Sequence, residues 1–88
     1  MKLKNKYVLR TVADKTVAIA VENTAEQTDG VVTLNSTGAF IFKLLNDGYT
    51  REKIIESFFK EYDVTNTEAE TTVDEFFKSL LASGLAEE

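Results

Sequence analysis

Residues 29–48, DGVVTLNSTGAFIFKLLNDG, place a four-residue β-type run directly before a strongly apolar helical segment, with only Asn35 between them. Asn35 or Ser36 can cap a helix that runs to Asn46, and Gly48 follows its end as a stop signal. A short strand joined so tightly to an apolar helix must lie in a sheet on which that helix packs. This junction restricts the chain to a small α+β arrangement.

Two further β-type runs precede this junction. Residues 7–12 (YVLRTV) and 16–21 (TVAIAV) are rich in β-branched residues and are separated by the turn-like triplet 13–15, so they predict a hairpin. Residues 22–30 are polar and end in glycine, which predicts a loop before a third strand at 31–34. Both faces of the second run are apolar, and the sequence leaves open which face of the hairpin is buried.

Two more helices are predicted after Gly48. Thr50 can cap the first of them, and its apolar residues recur at the spacing of one helical stripe: Ile54, Ile55, Phe58, Phe59 and Tyr62. Residues 65–68 (TNTE) fit the capping box of the last helix, and Gly84 followed by Leu85 fits its end.

The last helix carries two kinds of apolar position. Its core stripe is predicted to comprise four residues: Ala69, Val73, Phe76 and Leu80. Phe77 and Leu81 widen this stripe toward the side that carries Glu70 and Asp74. The element order is therefore βββααα, a three-stranded antiparallel sheet followed by three helices, which is a winged helix-turn-helix-like α+β fold. At 88 residues the chain is expected to form a single domain over 1–88.

Composition excludes several kinds of chemistry. The chain has no histidine and no cysteine, so the common general base, the thiol nucleophile and the usual transition-metal ligands are missing. No glycine pattern for phosphate binding and no complete calcium loop is present. We therefore predict a protein that is not an enzyme and uses no cofactor or metal. Without an apolar run of membrane length or a signal peptide, we expect a cytoplasmic location.

A winged helix-turn-helix protein often binds DNA, and this alternative must be weighed. The net charge of the chain is −5, and the last helix carries Glu68, Glu70, Asp74 and Glu75 against Lys78. Such a helix would repel phosphate rather than release counterions on binding it. The basic residues Lys2, Lys4, Lys6 and Arg10 are expected to form a solvated N-terminal arm. We expect no nucleic-acid partner and no membrane partner.

Four blocks of the sequence resemble the PqqD family, whose members are also called RiPP recognition elements. The blocks are YVLR at 7–10, GVVTLNSTGAFIFKLL at 30–45, YDV at 62–64 and V-x-x-F-F-x-x-L at 73–80. The resemblance covers nearly the whole chain, and the second block is its most specific part. It implies a non-catalytic domain that binds the leader segment of a ribosomally made precursor peptide and presents it to a modifying enzyme, often a radical SAM protein.

The resemblance also implies where the leader binds. In that family the leader adds as an extra antiparallel strand to the third strand, here Val31, Val32, Thr33 and Leu34, and lies between this strand and the third helix. From the helical wheel, we predict that the facing helix wall consists of Glu70, Val73, Asp74, Phe77 and Leu81. A short sheet-edge strand independently favours this mode, because its unpaired backbone groups are a template for a peptide strand.

Two matters stay open at this stage. The peptide class is one of them: the quinone-cofactor precursor, a thioether-bridged peptide and a lasso peptide are all compatible with the sequence. The other is the oligomeric state, since a homodimer paired or swapped at the same edge would occupy the peptide site.

Overall fold

A computed structural model describes residues 2–4, 6–20 and 31–87 of the chain. Five strands and three helices follow one another in these residues: β1 (Lys2–Leu3), β2 (Tyr7–Val12), β3 (Lys15–Ala20), β4 (Val31–Leu34), α1 (Ser36–Asn46), α2 (Arg51–Glu61), α3 (Asn66–Ala82) and β5 (Ala86–Glu87). The predicted order of three strands and three helices is confirmed, with β2, β3 and β4 as the three strands. The predicted loop at 22–30 and Val21 lie outside the described residues.

The three-stranded sheet is antiparallel and has the order β2-β3-β4. Tyr7 is opposite Ala20, and Ala18 is opposite Val32, so these residues share one face. That face packs on the helices, because Tyr7, Ala18 and Ala20 are all buried. The other face carries Val8 and Ile19, which are 48% and 37% exposed. The buried face of the hairpin, which the sequence left open, is thus the one that carries Ala18 and Ala20. Their small side chains let α1 approach the sheet closely.

The hairpin between β2 and β3 turns over two residues, since Val12 already pairs with Lys15. The predicted three-residue turn is therefore one residue too long. Ala13 has a φ of 58°, in the left-handed region that is costly for a residue with a β-carbon. The backbone of the turn is therefore slightly strained at Ala13.

Replacing Ala13 by glycine is expected to raise the free energy of unfolding by about 0.5–1 kcal/mol, because the relief of left-handed strain exceeds the added entropy of the unfolded chain. A shift of the urea midpoint at constant slope would measure it. Asp14→Gly is the matched control, since Asp14 is not in that region and the same substitution there should lower stability. Equal effects of the two variants would contradict the assignment of strain to Ala13.

All three helix starts are as predicted. The side chains of Asn35, Thr50 and Thr65 accept hydrogen bonds from the first-turn backbone of α1, α2 and α3, respectively. Thr65 and Glu68 form the complete capping box. At the far end of α3, the Leu85 amide donates to the Leu80 carbonyl at 3.0 Å and the Gly84 amide to that of Leu81 at 3.1 Å. This is a Schellman ending, with Gly84 at a φ of +77°.

The core differs from the predicted stripes at three aromatic positions. In α3 the buried residues are Ala69, Val73, Phe77 and Leu80. Phe77 therefore belongs to the core, and Phe76 is only half-buried. In α2 the predicted stripe also included Phe59, which is 45% exposed. A helix in contact with two partners buries a broad face, and the exact centre of that face depends on where the partners lie.

A small second sheet was not predicted from the sequence. β1 and β5 pair antiparallel, with Leu3 opposite Ala86, and the Lys4 amide donates to the Leu85 carbonyl at 3.0 Å. The predicted solvated N-terminal arm is thus wrong for the backbone of 2–4, which is bound to the end of α3. Strands of two residues carry too little periodicity to be recognised in a sequence. None of the helices in the described ranges has the length and hydropathy needed to span a bilayer.

Candidate functional site

The three-stranded sheet has two outer edges, β2 and β4, and their backbone groups have different hydrogen-bond partners. At β2, the Asn46 side chain at the end of α1 takes the place of a neighbouring strand. The Tyr7 amide donates to Asn46 Oδ1 at 3.1 Å, and Asn46 Nδ2 donates to the Tyr7 carbonyl at 2.8 Å. The start of the β2 edge is therefore satisfied from within the chain. β4 pairs only with β3 among the described elements.

The same hydrogen bonds show which residues of each strand direct their backbone groups toward a given neighbouring strand, an alternation called here the ladder phase. Opposed residues in an antiparallel pair alternate between bonded and non-bonded positions. Because both backbone groups of Tyr7 point to Asn46, Tyr7 and Ala20 form a non-bonded pair. Counting along β3, Ala18 then directs its backbone groups toward β4, where its partner is Val32.

This phase determines which backbone groups of β4 are open. Val32 and Leu34 use theirs to bind Ala18 and Thr16 of β3. Val31 and Thr33 direct their amides and carbonyls outward, away from β3. Among the described residues, the edge thus offers two residues whose backbone groups can pair with a further strand.

The side chains of β4 alternate between the two faces of the sheet. Leu34 is buried and Val32 is half-buried against the core, whereas Thr33 is exposed on the opposite face. Any strand added at this edge would therefore have an apolar side toward the helices and a polar side toward solvent. The predicted residues 31–34 do form one edge, as expected from the sequence.

The residues of the predicted helix wall lie in different surroundings, some in the core and some at the surface. Val73 is fully buried and Phe77 nearly so, and both are part of the core. The Arg51 guanidinium, at the start of α2, donates to both carboxylate oxygens of Asp74 at 2.8 Å. Glu70 is exposed and lines a shallow depression that it shares with α2. These positions face α2, and their role in peptide binding stays a prediction.

A groove of about 670 Å³ runs between the end of α3 and the turn that joins α1 to α2. Ten residues line it: Leu45, Gly48, Tyr49, Thr50, Arg51, Glu52, Asp74, Phe77, Lys78 and Leu81. Three members of the predicted wall therefore come together here. Among the described residues, those of β4 do not line this groove.

Two carboxylates have pKa values displaced by their hydrogen bonds. The Arg51 guanidinium, by hydrogen bonding, lowers the pKa of Asp74, and Asp74 in turn raises the pKa of Arg51. The pKa of Glu68 is lowered chiefly by the backbone amide of Thr65, within the capping box. Asp74 thereby stabilises the packing of α3 on α2, and Glu68 stabilises the start of α3. The described residues contain no cluster of side chains suited to hold a metal ion.

Phe76 of α3 lies over the first turn of α1. A β-carbon on Gly38 would lie 3.0 Å from Phe76 Cε1 and 2.9 Å from Asn35 Oδ1. The Phe76 ring therefore covers the bare backbone of Gly38 next to Asn35, the residue that follows β4. Sequence reasoning assigned Phe76 to the core and missed this placement. Gly38, inside an otherwise bulky apolar block, was the signal that a ring approaches there.

Comparison with known proteins supplies independent information. The family of coenzyme PQQ synthesis protein D (PqqD) matches residues 24–86. No curated protein sequence matches the chain significantly.

Two solved structures resemble the fold along nearly its full length. TbiB1 in complex with the TbiA(β) leader peptide has a TM-score of 0.77 and 26% identity, over 99% of this chain and 95% of that one. A lasso peptide synthetase B1 complexed with its leader peptide has a TM-score of 0.75 and 23% identity, over 99% and 96%. The match over 24–86 covers most of the sequence, including β4 and all three helices. The chain therefore belongs to the PqqD family.

Proposed function

We propose that this protein is a non-catalytic adaptor that binds the leader segment of a ribosomally synthesised precursor peptide. The leader adds as an antiparallel strand to β4, and the domain presents it to a modifying enzyme, such as a radical SAM enzyme. One observation carries the proposal: Val31 and Thr33 of β4 direct their backbone groups outward, and β4 pairs only with β3 among the described elements. An edge of this kind binds an extended peptide through main-chain hydrogen bonds.

Family membership and structural similarity support the same function. TbiB1 and the lasso peptide synthetase B1 are each complexed with a leader peptide. Comparable peptide binding by this chain agrees with the absence of histidine and cysteine, which leaves few groups for catalysis. The alternative of a DNA-binding regulator gains no support from these comparisons. It also conflicts with α3, which carries more acidic than basic residues on its exposed surface.

The helix wall of the site belongs to the proposal as well. Val73 and Phe77 support it from the core, whereas Glu70, Asp74 and Leu81 are at least partly accessible on the flank that faces α2. A leader longer than the four residues of β4 has the reach to continue into the groove of about 670 Å³ at Leu81. A basic leader residue would there compete with Arg51 for Asp74.

A fluorescence-anisotropy titration tests the function directly. The probe is the labelled leader half of a candidate precursor peptide, taken from a short reading frame beside the gene for this protein. We expect saturable binding in the micromolar range, since a single added strand buries an interface at the small end of the specific class, ~1,000 Å². A scrambled leader of the same composition is the control.

Equal binding of the two peptides would indicate non-specific association. Absence of binding to the correct leader at protein concentrations of ~1 mM would contradict the proposed function.

A further inference from the structure

Only the start of the β2 edge has hydrogen-bond partners within the described part of the chain. Asn46 binds the backbone groups of Tyr7, which point away from β3. Because the ladder phase repeats every second residue, the backbone groups of Leu9 and Thr11 also point away from β3. Among the described residues, nothing binds them there. β2 therefore has two residues that are open to a further strand, on the edge of the sheet opposite to β4.

A depression of about 390 Å³ adjoins these open residues. It lies between the hairpin of β2 and β3, the helix α1 and the residue that follows α2. Eight residues line it: Leu9, Thr11, Thr16, Ser36, Ala39, Phe40, Lys43 and Tyr62. Because Leu9 and Thr11 belong to both the open edge and the depression, residues added opposite them would direct their side chains into it.

The depression has an apolar floor and one charged residue. The rings of Phe40 and Tyr62 meet edge-to-face, with centroids 5.5 Å apart, and both residues are half-buried. Leu9 and Ala39 are also half-buried. Lys43 is exposed, and none of the other lining residues is charged. Apolar side chains therefore fit the floor, and the charge of Lys43 favours an acidic segment over a basic one.

The outer face of β2 carries a second cation at the same place. Arg10 lies between Leu9 and Thr11 in the strand, so its exposed side chain is on the face opposite to the depression. A residue added opposite Arg10 would have its side chain within reach of the guanidinium. Residues 2–20 contain one acidic residue, Asp14, and five basic ones: Lys2, Lys4, Lys6, Arg10 and Lys15. The net charge of the whole chain is −5, so the open edge is a positively charged region of an acidic protein.

A second copy of the chain fits this edge poorly. Two β2 strands paired antiparallel about Leu9 would need the backbone groups of Tyr7, which are already bound. Pairing about Arg10 would place two guanidinium groups opposite each other. Pairing about Thr11 would set Leu9 against Ala13, which lies outside the strand. The charge of the edge fits a different, acidic chain.

We propose that the β2 edge is a second strand-addition site, and that it takes an acidic, extended segment of the modifying enzyme. In this segment an acidic residue lies opposite Arg10, and its two neighbours carry apolar side chains that enter the depression over Phe40 and Tyr62. An adaptor must hold its enzyme on a surface that the bound leader leaves free, and the edge opposite to β4 meets that condition. The identity of the occupant therefore rests on the proposed function, whereas the chemistry of the site does not.

Three synthetic peptides with blocked ends test the preference for an acidic segment in ¹H–¹⁵N NMR titrations. The first is Ser-Thr-Val-Glu-Val-Thr-Ser, and in the other two the glutamate is replaced by glutamine or lysine. Dissociation constants are taken from the Thr11 amide, which reports on β2, and separately from the Thr33 amide, which reports on β4. At Thr11 we expect the glutamate peptide to bind about threefold more tightly than the glutamine peptide and about tenfold more tightly than the lysine peptide. Equal affinities at Thr11, or no shift there at ~5 mM peptide, would overturn the inference.

Reversal of one charge tests whether the preference arises at this edge. Arg10→Glu is expected to reverse the order, so that the lysine peptide binds at Thr11 about threefold more tightly than the glutamate peptide. Lys53→Glu makes the same change of charge at an exposed site on α2 and should leave the order unchanged. An unchanged order in Arg10→Glu would contradict the assignment to β2.

Thr11→Pro tests the backbone part of the site. It removes one open amide and should weaken binding of the glutamate peptide at least about tenfold, as followed by the ring signals of Tyr62. Undiminished binding in the folded variant would overturn strand addition at β2. Urea denaturation identifies a Thr11→Pro protein that does not fold, in which case Arg10→Glu provides the result.

A candidate modifying enzyme, taken from a reading frame beside the gene for this protein, tests the occupant. It should bind the wild-type protein at least about tenfold more tightly than the Arg10→Glu variant, and the Lys53→Glu variant like the wild type. An enzyme that binds the wild type and Arg10→Glu equally docks elsewhere, which would overturn the assignment of the occupant.

Titration of the leader separates this inference from the proposed function. We expect saturating leader to shift the Thr33 amide and to leave the affinity of the glutamate peptide at Thr11 unchanged within about twofold. If the leader instead shifts the Thr11 amide and displaces the peptide, the precursor occupies β2 and the inference is overturned. If the leader does not bind but the glutamate peptide binds at Thr11, the proposed function fails and the acidic strand site on β2 stands without the enzyme as its occupant.

Discussion

Replacing Thr33 by proline is expected to abolish leader binding while the domain stays folded. The Thr33 amide points away from β3, so the folded protein loses no internal hydrogen bond when proline removes it. The leader loses a main-chain partner and meets the proline ring where its own backbone would lie. We expect a loss of affinity of at least about a hundredfold, since one of the two open residues described in β4 loses its amide and the backbone of the other is distorted.

Val32→Pro is the matched control, because it places the same residue one position earlier on the same strand. The Val32 amide binds within the sheet opposite Ala18, so this variant should lose about 3 kcal/mol of stability through a broken ladder bond and a steric clash. Urea denaturation measures the stability, and anisotropy measures leader binding. If Thr33→Pro unfolded the domain and Val32→Pro did not, the Thr33 amide would bind β3 and the Val32 amide would point outward, contrary to the ladder phase.

Hydrogen exchange offers a check of the phase that needs no substitution. The amides of Val31 and Thr33 should exchange quickly in the free protein, and those of Val32 and Leu34 slowly. Saturation with leader should protect the first pair and leave the second unchanged. Protection confined to a helix would place the peptide elsewhere.

The fold follows from local signals that act within a few residues. Asn35, Thr50 and Thr65 satisfy the first amides of their own helices, so their positions identify helix starts regardless of the tertiary structure. The β-type run at 31–34 and its separation by one residue from α1 likewise predict a strand on which a helix folds back. For such features a sequence contains all the necessary information.

The site depends on relations between distant residues, and these were harder to predict. The choice between Phe76 and Phe77 for the core turns on whether α3 meets α2 on one flank or the other, which a helical wheel cannot tell. The open residues of β4 follow from the pairing register of the whole sheet, which the hydrogen bonds between Asn46 and Tyr7, 39 positions apart in the chain, reveal. Residues 31–34 were predicted to form the edge, but nothing in their sequence distinguishes Thr33 from Val32 as a hydrogen-bonding position.

Phe42→Ala is expected to produce the largest loss of stability of any single side-chain truncation described here. Phe42 is fully buried in α1 and packs edge-to-face on Tyr7 of β2, with ring centroids 5.1 Å apart. Truncation removes the contact that joins the helices to the sheet and leaves a cavity that the surrounding backbone cannot fill, which costs about 3–5 kcal/mol. A domain of this size has a stability of roughly 5–10 kcal/mol, so the variant should be close to unfolding at 37 °C.

Phe59→Ala gives the comparison that makes this result informative. The two residues are identical and both lie on helices, but Phe59 is 45% exposed whereas Phe42 is fully buried. Its truncation should cost less than about 1 kcal/mol, because a half-exposed ring removes less apolar surface from water and leaves no enclosed cavity. Urea midpoints of the two variants measure the difference. Similar losses would mean that Phe59 packs against the rest of the free protein far more closely than its 45% exposure indicates, and would contradict the burial described for α2.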